Sequence, residues 1–230
     1  MKIKMIVGIG IVIMILLAYG PHLWVKYVLK RHSTEIKAMS GTGGELAQHL
    51  VERFKLDGVK VEMGIEGQDH YSPSEKIISL SPSIYEGKSI TAISVATHEV
   101  GHAIQFIRKE PVSLLREKYL GKAFIIKKVG TAIMLGIPVI TIVFKMPHII
   151  LFAAAIGIVT MLASALMYVA ILPEEYDASF NKALPILKEG YVHADHIPAV
   201  EQVLRAAALT YFAAALADIL RLWTWLRIFR

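Results

Sequence analysis

The pentapeptide His98-Glu99-Val100-Gly101-His102 combines residue types and a spacing that suit a metal ion and a catalytic base. Residues four apart lie on one face of a helix, so the imidazoles of His98 and His102 can bind one ion. Glu99 is turned away by about 100°, and there its carboxylate can take a proton from a water that zinc activates. Zinc lowers the pKa of its water from about 15.7 to about 7, so hydroxide forms at neutral pH. Two ordinary histidines of an amphipathic helix are the alternative, but that alternative gives Glu99 no role.

A third protein ligand is needed, because catalytic zinc sites typically use about three protein ligands and keep one position open. The chain contains no cysteine, which excludes thiolate ligands, cysteine nucleophiles and disulfides. No third histidine follows His102 at the spacing of the three-histidine metallopeptidases. A downstream glutamate would complete the set, and Glu174 and Glu175 are the candidates. Both could instead mark only the end of an apolar segment.

Long apolar segments must position these residues. Hydrophobic residues make up 55% of the chain, whereas soluble chains usually contain about 45–50%. The excess is concentrated in four blocks that predict about four transmembrane helices. These blocks are Met5–Tyr19, Val129–Phe144, Ile149–Leu172 and Ala206–Phe229. The link between the second and third blocks is short, so we expect these two blocks to form an antiparallel hairpin. Such a hairpin would put His98 and Glu175 on the same side of the membrane.

Basic residues flank the apolar blocks and account for the formal net charge of +6. This placement favours a membrane role over nucleic-acid binding. Lys and Arg are more numerous on the side of the polar region, which predicts a multi-pass protein of the cell membrane with a cytoplasmic active site. Lys2 and Lys4 at the N terminus argue for the opposite orientation.

The polar region between the first two blocks is predicted to be a small α+β unit. A capping box begins at Thr42 and opens an amphipathic helix that we expect to end near Asp57-Gly58. Alternating apolar residues predict the buried face of a strand; they are Val59, Val61, Met63 and Ile65. A second strand, Lys76–Leu80, is expected to offer an edge to an extended substrate. Ser89 then opens the helix that carries His98.

From Thr42 to its end, the chain resembles the YugP-type family of neutral zinc metallopeptidases of bacterial membranes. The matching segments are Asp69–Pro73, Leu80-Ser81, Tyr85, His98–Gln105, Leu172–Ser179 and Val203–Tyr211. The family has a glutamate at the position of Glu175 and varies at that of Glu174. The resemblance therefore implies Glu175 as the third ligand and peptide-bond hydrolysis as the activity.

The segment after the third block is also similar to that of HtpX-like and prenyl-processing membrane peptidases. Those proteins have an aspartate where this chain has Ser179. Such an aspartate can orient a ligand histidine by accepting its second N–H. The similarity implies this role for the position of Ser179 or, in its place, for Asp177.

The predicted protein is an α-helical membrane protein with a small α+β, zincin-like catalytic region that contains the His98 helix and a downstream glutamate ligand. The predicted domains are a membrane anchor at 1–29, a catalytic region at 30–128, a transmembrane hairpin at 129–172, a third-ligand segment with a helical connection at 173–205 and a C-terminal transmembrane helix at 206–230.

The predicted function is that of a membrane-embedded zinc metalloendopeptidase acting on protein or peptide substrates beside the lipid bilayer, with no nucleic-acid partner. One zinc ion is expected on His98, His102 and Glu175, with Glu99 as the general base. Candidates for stabilising the oxyanion are His70, Tyr71, His193, His196 and Arg205. The alternatives are a membrane metal-binding or transport protein and a chaperone-like pseudoenzyme of the same fold.

Overall fold

The computed structural model describes residue 16 and residues 19–144 and 147–217. The longer helices are α1 (residues 19–31), α2 (Gly43–Arg53), α4 (Ile90–Ile107), α5 (Ser113–Phe144), α6 (Pro147–Tyr176), α8 (Ile197–Ala208) and α9 (Thr210–Ala217). The short helices are α3 (Pro82–Tyr85) and α7 (Leu184–Ile186), and π-helical turns cover Asp177–Ala183 and Leu187–Tyr191. The strands are β1 (Lys60–Met63), β2 (His70–Ser72) and β3 (Ile77–Leu80).

The chain divides into two compact units. One, the helical unit, comprises the described parts of Met1–Leu23, Arg116–Ile171 and Tyr211–Arg230. The other, the sheet unit, comprises Trp24–Leu115 and Leu172–Thr210. The predicted zinc ligands all belong to the sheet unit.

Helix α4 forms the centre of the sheet unit. Ser89 caps its first turn, since its hydroxyl accepts a hydrogen bond from the backbone N–H of Ala92 at 3.1 Å. Every residue from Ile90 to Gln105 is buried, which is typical of a helix surrounded on all sides by protein. Helices α2 and α8, the Asp177–Ala183 turn and the sheet all contact it.

The sheet places its strands in the order β1-β3-β2, with β1 parallel and β2 antiparallel to β3. The prediction that the strand at Lys76–Leu80 offers a free edge is therefore wrong, because β3 has a hydrogen-bonded neighbour on each side. The expected buried face is also wrong in part, since Met63 and Ile65 are 48% and 67% exposed. The ladder ends at Met63, and the chain then turns through Gly67, whose φ is 73°.

Helix α2 begins with the predicted capping box. Thr42 Oγ1 accepts from the backbone N–H of Glu45 at 3.1 Å, and Glu45 Oε2 accepts from the backbone N–H of Thr42 at 2.8 Å. The helix ends at Arg53, earlier than predicted, because Lys55 adopts a left-handed conformation with φ 53°.

In the helical unit, α5 and α6 pack antiparallel. A Cβ at Gly130 would lie 2.3 Å from Thr160 Oγ1, and one at Gly157 would lie 2.5 Å from Met134 Sδ. The position four residues further along α5, Met134, thus faces a position three residues earlier in α6, Gly157, and this order shows that the two helices run in opposite directions. Small residues let the two helix backbones approach closely at these points.

One continuous helical run in the described part of the chain, Leu151–Tyr191, is long and apolar enough to cross a membrane, with a mean hydropathy of 2.3 in its most apolar window. It comprises most of α6, the two π-helical turns and α7. The pair Ala194–Ala208 and Thr210–Ala217 meets the same criterion if its 42° bend lies within one span. The number of spans, predicted as about four, stays a prediction. Most of Met5–Tyr19 and residues 218–229 of the fourth block lie outside the described residues.

Candidate metal centre

Three side-chain atoms converge between α4 and the last turn of α6. His98 Nε2 lies 3.2 Å from His102 Nε2, and Glu175 Oε2 lies 3.3 Å from the former and 3.4 Å from the latter. The histidines are adjacent because they are one helical turn apart. All three side chains are buried. The three atoms form a nearly equilateral triangle.

The size of this triangle fits a tetrahedral zinc ion. Ligand atoms about 2.0–2.1 Å from zinc at tetrahedral angles are about 3.3 Å apart. Two imidazole nitrogens and one carboxylate oxygen are a donor set that suits zinc and leaves a fourth position for water or substrate. The other oxygen of Glu175, Oε1, is buried with no hydrogen-bond partner among the described residues.

The second ring nitrogen of His98 is bound by Ser179. Ser179 Oγ lies 3.0 Å from His98 Nδ1 and donates its own proton to the carbonyl oxygen of Leu204, also at 3.0 Å. A hydroxyl has one proton, so Ser179 accepts the hydrogen bond from His98. Nδ1 of His98 therefore carries a hydrogen, and Nε2 presents its lone pair to the triangle.

The second ring nitrogen of His102 is bound by Gln105. His102 Nδ1 lies 3.0 Å from Gln105 Oε1, and an amide oxygen only accepts, so this nitrogen carries the hydrogen as well. The amide nitrogen of Gln105 donates to the carbonyl oxygen of Glu174 at 3.0 Å and to Asp177 Oδ2 at 2.8 Å. Both Nε2 lone pairs thus point at one place beside a carboxylate, an arrangement that a shared cation stabilises.

Glu174 occupies a different place from Glu175. Its Oε1 lies 3.8 Å from His102 Nδ1, which is the ring nitrogen that points away from the triangle. Consecutive helical residues differ in direction by about 100°, so only one of the two glutamates can face both Nε2 atoms. In this structure it is Glu175.

Glu99 follows His98 on α4 and is buried, and its Oε2 has no hydrogen-bond partner among the described residues. Asp69 is a charged neighbour of Glu99, held by the backbone N–H and hydroxyl of Ser81 at 2.7 and 2.8 Å. Burial raises the pKa of Asp69; the hydrogen bonds from Ser81 oppose this rise, and the negative charges of Glu99 and Glu66 add to it.

Gly101 explains how α4 and the Asp177–Ala183 turn come so close. A Cβ at this position would lie 2.8 Å from the carbonyl oxygen and 3.2 Å from the Cα of Ala178. Glycine is therefore required by the close approach of the backbone that follows Glu175. The interior glycine of the pentapeptide is the sequence signal for this contact.

Of the five candidate oxyanion groups, Tyr71 alone is buried. Its hydroxyl has no partner among the described residues, its ring packs against Phe106 of α4, and burial raises its pKa to about 12. His70 is exposed and its Nδ1 lies 2.9 Å from the carbonyl oxygen of Gln68. The other three candidates lie on α8 or just before it. Arg205 is exposed and His196 is half-buried. His193 is exposed, and its Nδ1 lies 3.1 Å from Asp195 Oδ2.

The similarity to other membrane peptidases implies a histidine-orienting role at the position of Ser179 or Asp177, whereas the contact of Gln105 with His102 was not predicted. Gln105 lies three residues after His102, a spacing at which helical side chains meet, so this contact had a local signal. The contact of Ser179 with His98 depends on the packing of the Asp177–Ala183 turn against α4 and had only the resemblance behind it.

Comparison with known proteins places the chain in a family. The family described as "Putative neutral zinc metallopeptidase" matches residues 7–230. The chain belongs to this family. It is also 33% identical over 218 residues to the "Putative membrane protease YugP" of Bacillus subtilis (strain 168). The matched region covers 92% of this chain and 93% of that protein. No solved structure matches the chain, so the zincin-like character of the sheet unit stays a prediction.

Proposed function

We propose that this protein is a zinc metalloendopeptidase of the bacterial cell membrane, with His98, His102 and Glu175 as ligands of a single zinc ion. The triangle of two Nε2 atoms and one carboxylate oxygen carries this proposal. Membership of a zinc metallopeptidase family and similarity to a protein named as a membrane protease support it. Glu99 Oε2 is buried and has no hydrogen-bond partner within the part of the chain that the structure describes, and a purely structural metal site would give this oxygen no purpose.

The residues around the triangle divide the work of hydrolysis. His98, His102 and Glu175 would hold the zinc ion, which would supply a Lewis acid for the scissile carbonyl and for water. Glu99 takes a proton from the attacking water and returns it to the amine that leaves when the C–N bond breaks. Ser179 and Gln105 hold the two imidazoles in the form that presents Nε2.

Tyr71 is the group that we assign to the oxyanion. A tyrosine hydroxyl is protonated at neutral pH even at its ordinary pKa of about 10, and burial raises the pKa of Tyr71 further, to about 12, so this group can donate a hydrogen bond. Strand β2, which carries it, is an edge strand of the sheet. An extended peptide can add to such an edge through backbone hydrogen bonds.

The proposed location is the cytoplasmic face of a multi-pass membrane protein. The Lys and Arg bias of the sequence and the apolar helix Leu151–Tyr191 support it. Protease treatment of sealed inside-out and right-side-out vesicles tests the orientation. Cleavage of the sheet unit in right-side-out vesicles would reverse the assignment.

Glu99→Gln tests the catalytic proposal. This change keeps the size of the side chain and removes its basicity, so zinc content should stay at one ion per chain. Turnover of an unfolded protein substrate should fall about 10²–10⁴-fold. Glu52→Gln, at an exposed position of α2, is the matched control and should retain full activity.

The outcome also separates the peptidase from its alternatives. Zinc binding by the wild-type protein without chelator-sensitive cleavage would favour a metal-binding, transport or chaperone-like role. Retained cleavage in zinc-loaded Glu99→Gln would remove Glu99 from the mechanism.

A further inference from the structure

We propose that Gln105 is the positioning residue for His102, and that Asp177 acts on His102 only through Gln105. Gln105 holds the imidazole of His102 with Nε2 toward the triangle, and Asp177, together with the backbone carbonyl of Glu174, fixes which way the Gln105 amide points. This inference rests on the proposed zinc site and deepens it.

The orientation of the Gln105 amide has one solution. Its side chain is fully buried, and its NH2 group faces two oxygens that only accept hydrogen bonds, the carbonyl of Glu174 and the carboxylate of Asp177. A flipped amide would place Oε1 against both of them, and such a mismatch leaves buried polar groups without hydrogen bonds, which is strongly unfavourable. Oε1 must therefore face His102, and His102 must present an N–H to it.

Asp177 is itself held from two further directions. Asn181 donates to its Oδ1 at 2.8 Å, and Lys182 Nζ lies 3.4 Å from its Oδ2. Lys182 also pairs with Glu110 at 2.9 Å. The carboxylate is thus anchored in a charged network that reaches the end of α4, while the group in contact with the imidazole is a neutral amide.

The two histidines consequently have different supports. The chain of hydrogen bonds from His98 passes through Ser179 to a backbone carbonyl, that of Leu204, and ends there. The chain from His102 passes through Gln105 to a carboxylate. Groups that accept the second N–H of a ligand histidine usually change metal affinity by about 10–100-fold when they are removed.

Zinc affinity of the full-length protein in detergent, measured by competition with a chromophoric chelator, tests the inference. Gln105→Leu should weaken zinc binding about 10–100-fold. Asp177→Ala, at a half-buried position that tolerates truncation better, should weaken it about 10-fold because the amide loses one of its two acceptors. The matched control is Gln202→Leu, which removes an exposed glutamine that binds His32 at 3.1 Å, and it should leave zinc affinity unchanged.

A polarity exchange distinguishes positioning from packing. When Gln105→Glu is combined with Asp177→Asn, an oxygen of the new carboxylate still faces His102, and the new amide at position 177 donates to the other oxygen. The carbonyl oxygen of Glu174 loses its donor in this double variant, as it does in Gln105→Leu. The double variant should therefore bind zinc about 10-fold tighter than Gln105→Leu. Nitrogen NMR of the metal-free protein should show His102 as a single Nδ1–H form in the wild type and as a mixture of forms in Asp177→Ala.

Three results would overturn the inference: wild-type zinc affinity in folded Gln105→Leu, no recovery in the double variant, or an unchanged His102 signal in Asp177→Ala. If Gln105→Leu does not fold, the Asp177→Ala affinity and spectrum decide. Failure of the zinc site itself is seen separately, as wild-type zinc binding that His102→Ala does not lower.

Discussion

Gly101→Ala should damage both the stability of the protein and the proposed zinc site. The added methyl group would lie 2.8 Å from the carbonyl oxygen of Ala178, and because this is a backbone atom, the whole segment has to move. Such overpacking costs about 1–3 kcal/mol, whereas alanine gains about 1 kcal/mol over glycine in helix propensity. The net effect is a loss of about 0–2 kcal/mol.

Gly121→Ala is the matched control. Gly121 lies in helix α5, and a Cβ there would meet nothing within 4 Å. Gly121→Ala has the same gain in helix propensity without the overpacking. The free energies of unfolding of the two variants should therefore differ by about 1–3 kcal/mol, which is about 2–12 °C in Tm for a chain of this size. Thermal unfolding in detergent, followed by circular dichroism, measures this difference.

Zinc affinity at the proposed site provides a second measurement on the same variant. Ala178 follows Glu175 by three residues, so moving its backbone shifts Glu175 Oε2 relative to the histidines. We expect Gly101→Ala to bind zinc about 10–100-fold more weakly than Gly121→Ala, the range typical of disturbed ligand orientation. Equal Tm and equal zinc affinity in the two variants would refute the close approach of α4 and the Asp177–Ala183 turn.

Further substitutions test the ligand assignment and a local element of the fold. Glu175→Gln should lose more zinc affinity than the about 10–100-fold typical of residues that only orient ligands, whereas Glu174→Gln should lose far less; the reverse order, read by chelator competition, would make Glu174 the ligand. Thr42→Ala removes the acceptor for the backbone N–H of Glu45 and should cost about 0.5–2 kcal/mol, seen as a lower Tm with unchanged zinc content.

Local geometry made part of this protein predictable from its sequence. His98 and His102 share a helix face because helical residues four apart always do, and the structure has them on one helix with Nε2 atoms 3.2 Å apart. The capping box at Thr42 is similarly local, and it forms as predicted. Interior glycine at position 101 indicated a close neighbour, which is Ala178.

The strand predictions were wrong where the outcome depended on contacts with other parts of the chain. Alternation at Met63 and Ile65 predicts a buried face only if something covers that face, and here both side chains are exposed. Lys76–Leu80 carries no signal for how many neighbours it pairs with. Its central place between β1 and β2 follows from how the chain returns to the sheet.

The sequence by itself determined the chemistry that α4 can offer, because the spacing of His98, Glu99 and His102 needs nothing beyond a helix. Only the tertiary structure decided which glutamate faces the two imidazoles. Glu174 and Glu175 are equal as local residues, and the packing of the end of α6 against α4 turns Glu175 toward both Nε2 atoms. The turn that follows brings Ser179 to His98. Contacts between segments far apart in the chain depend on how whole helices pack, which no local spacing encodes.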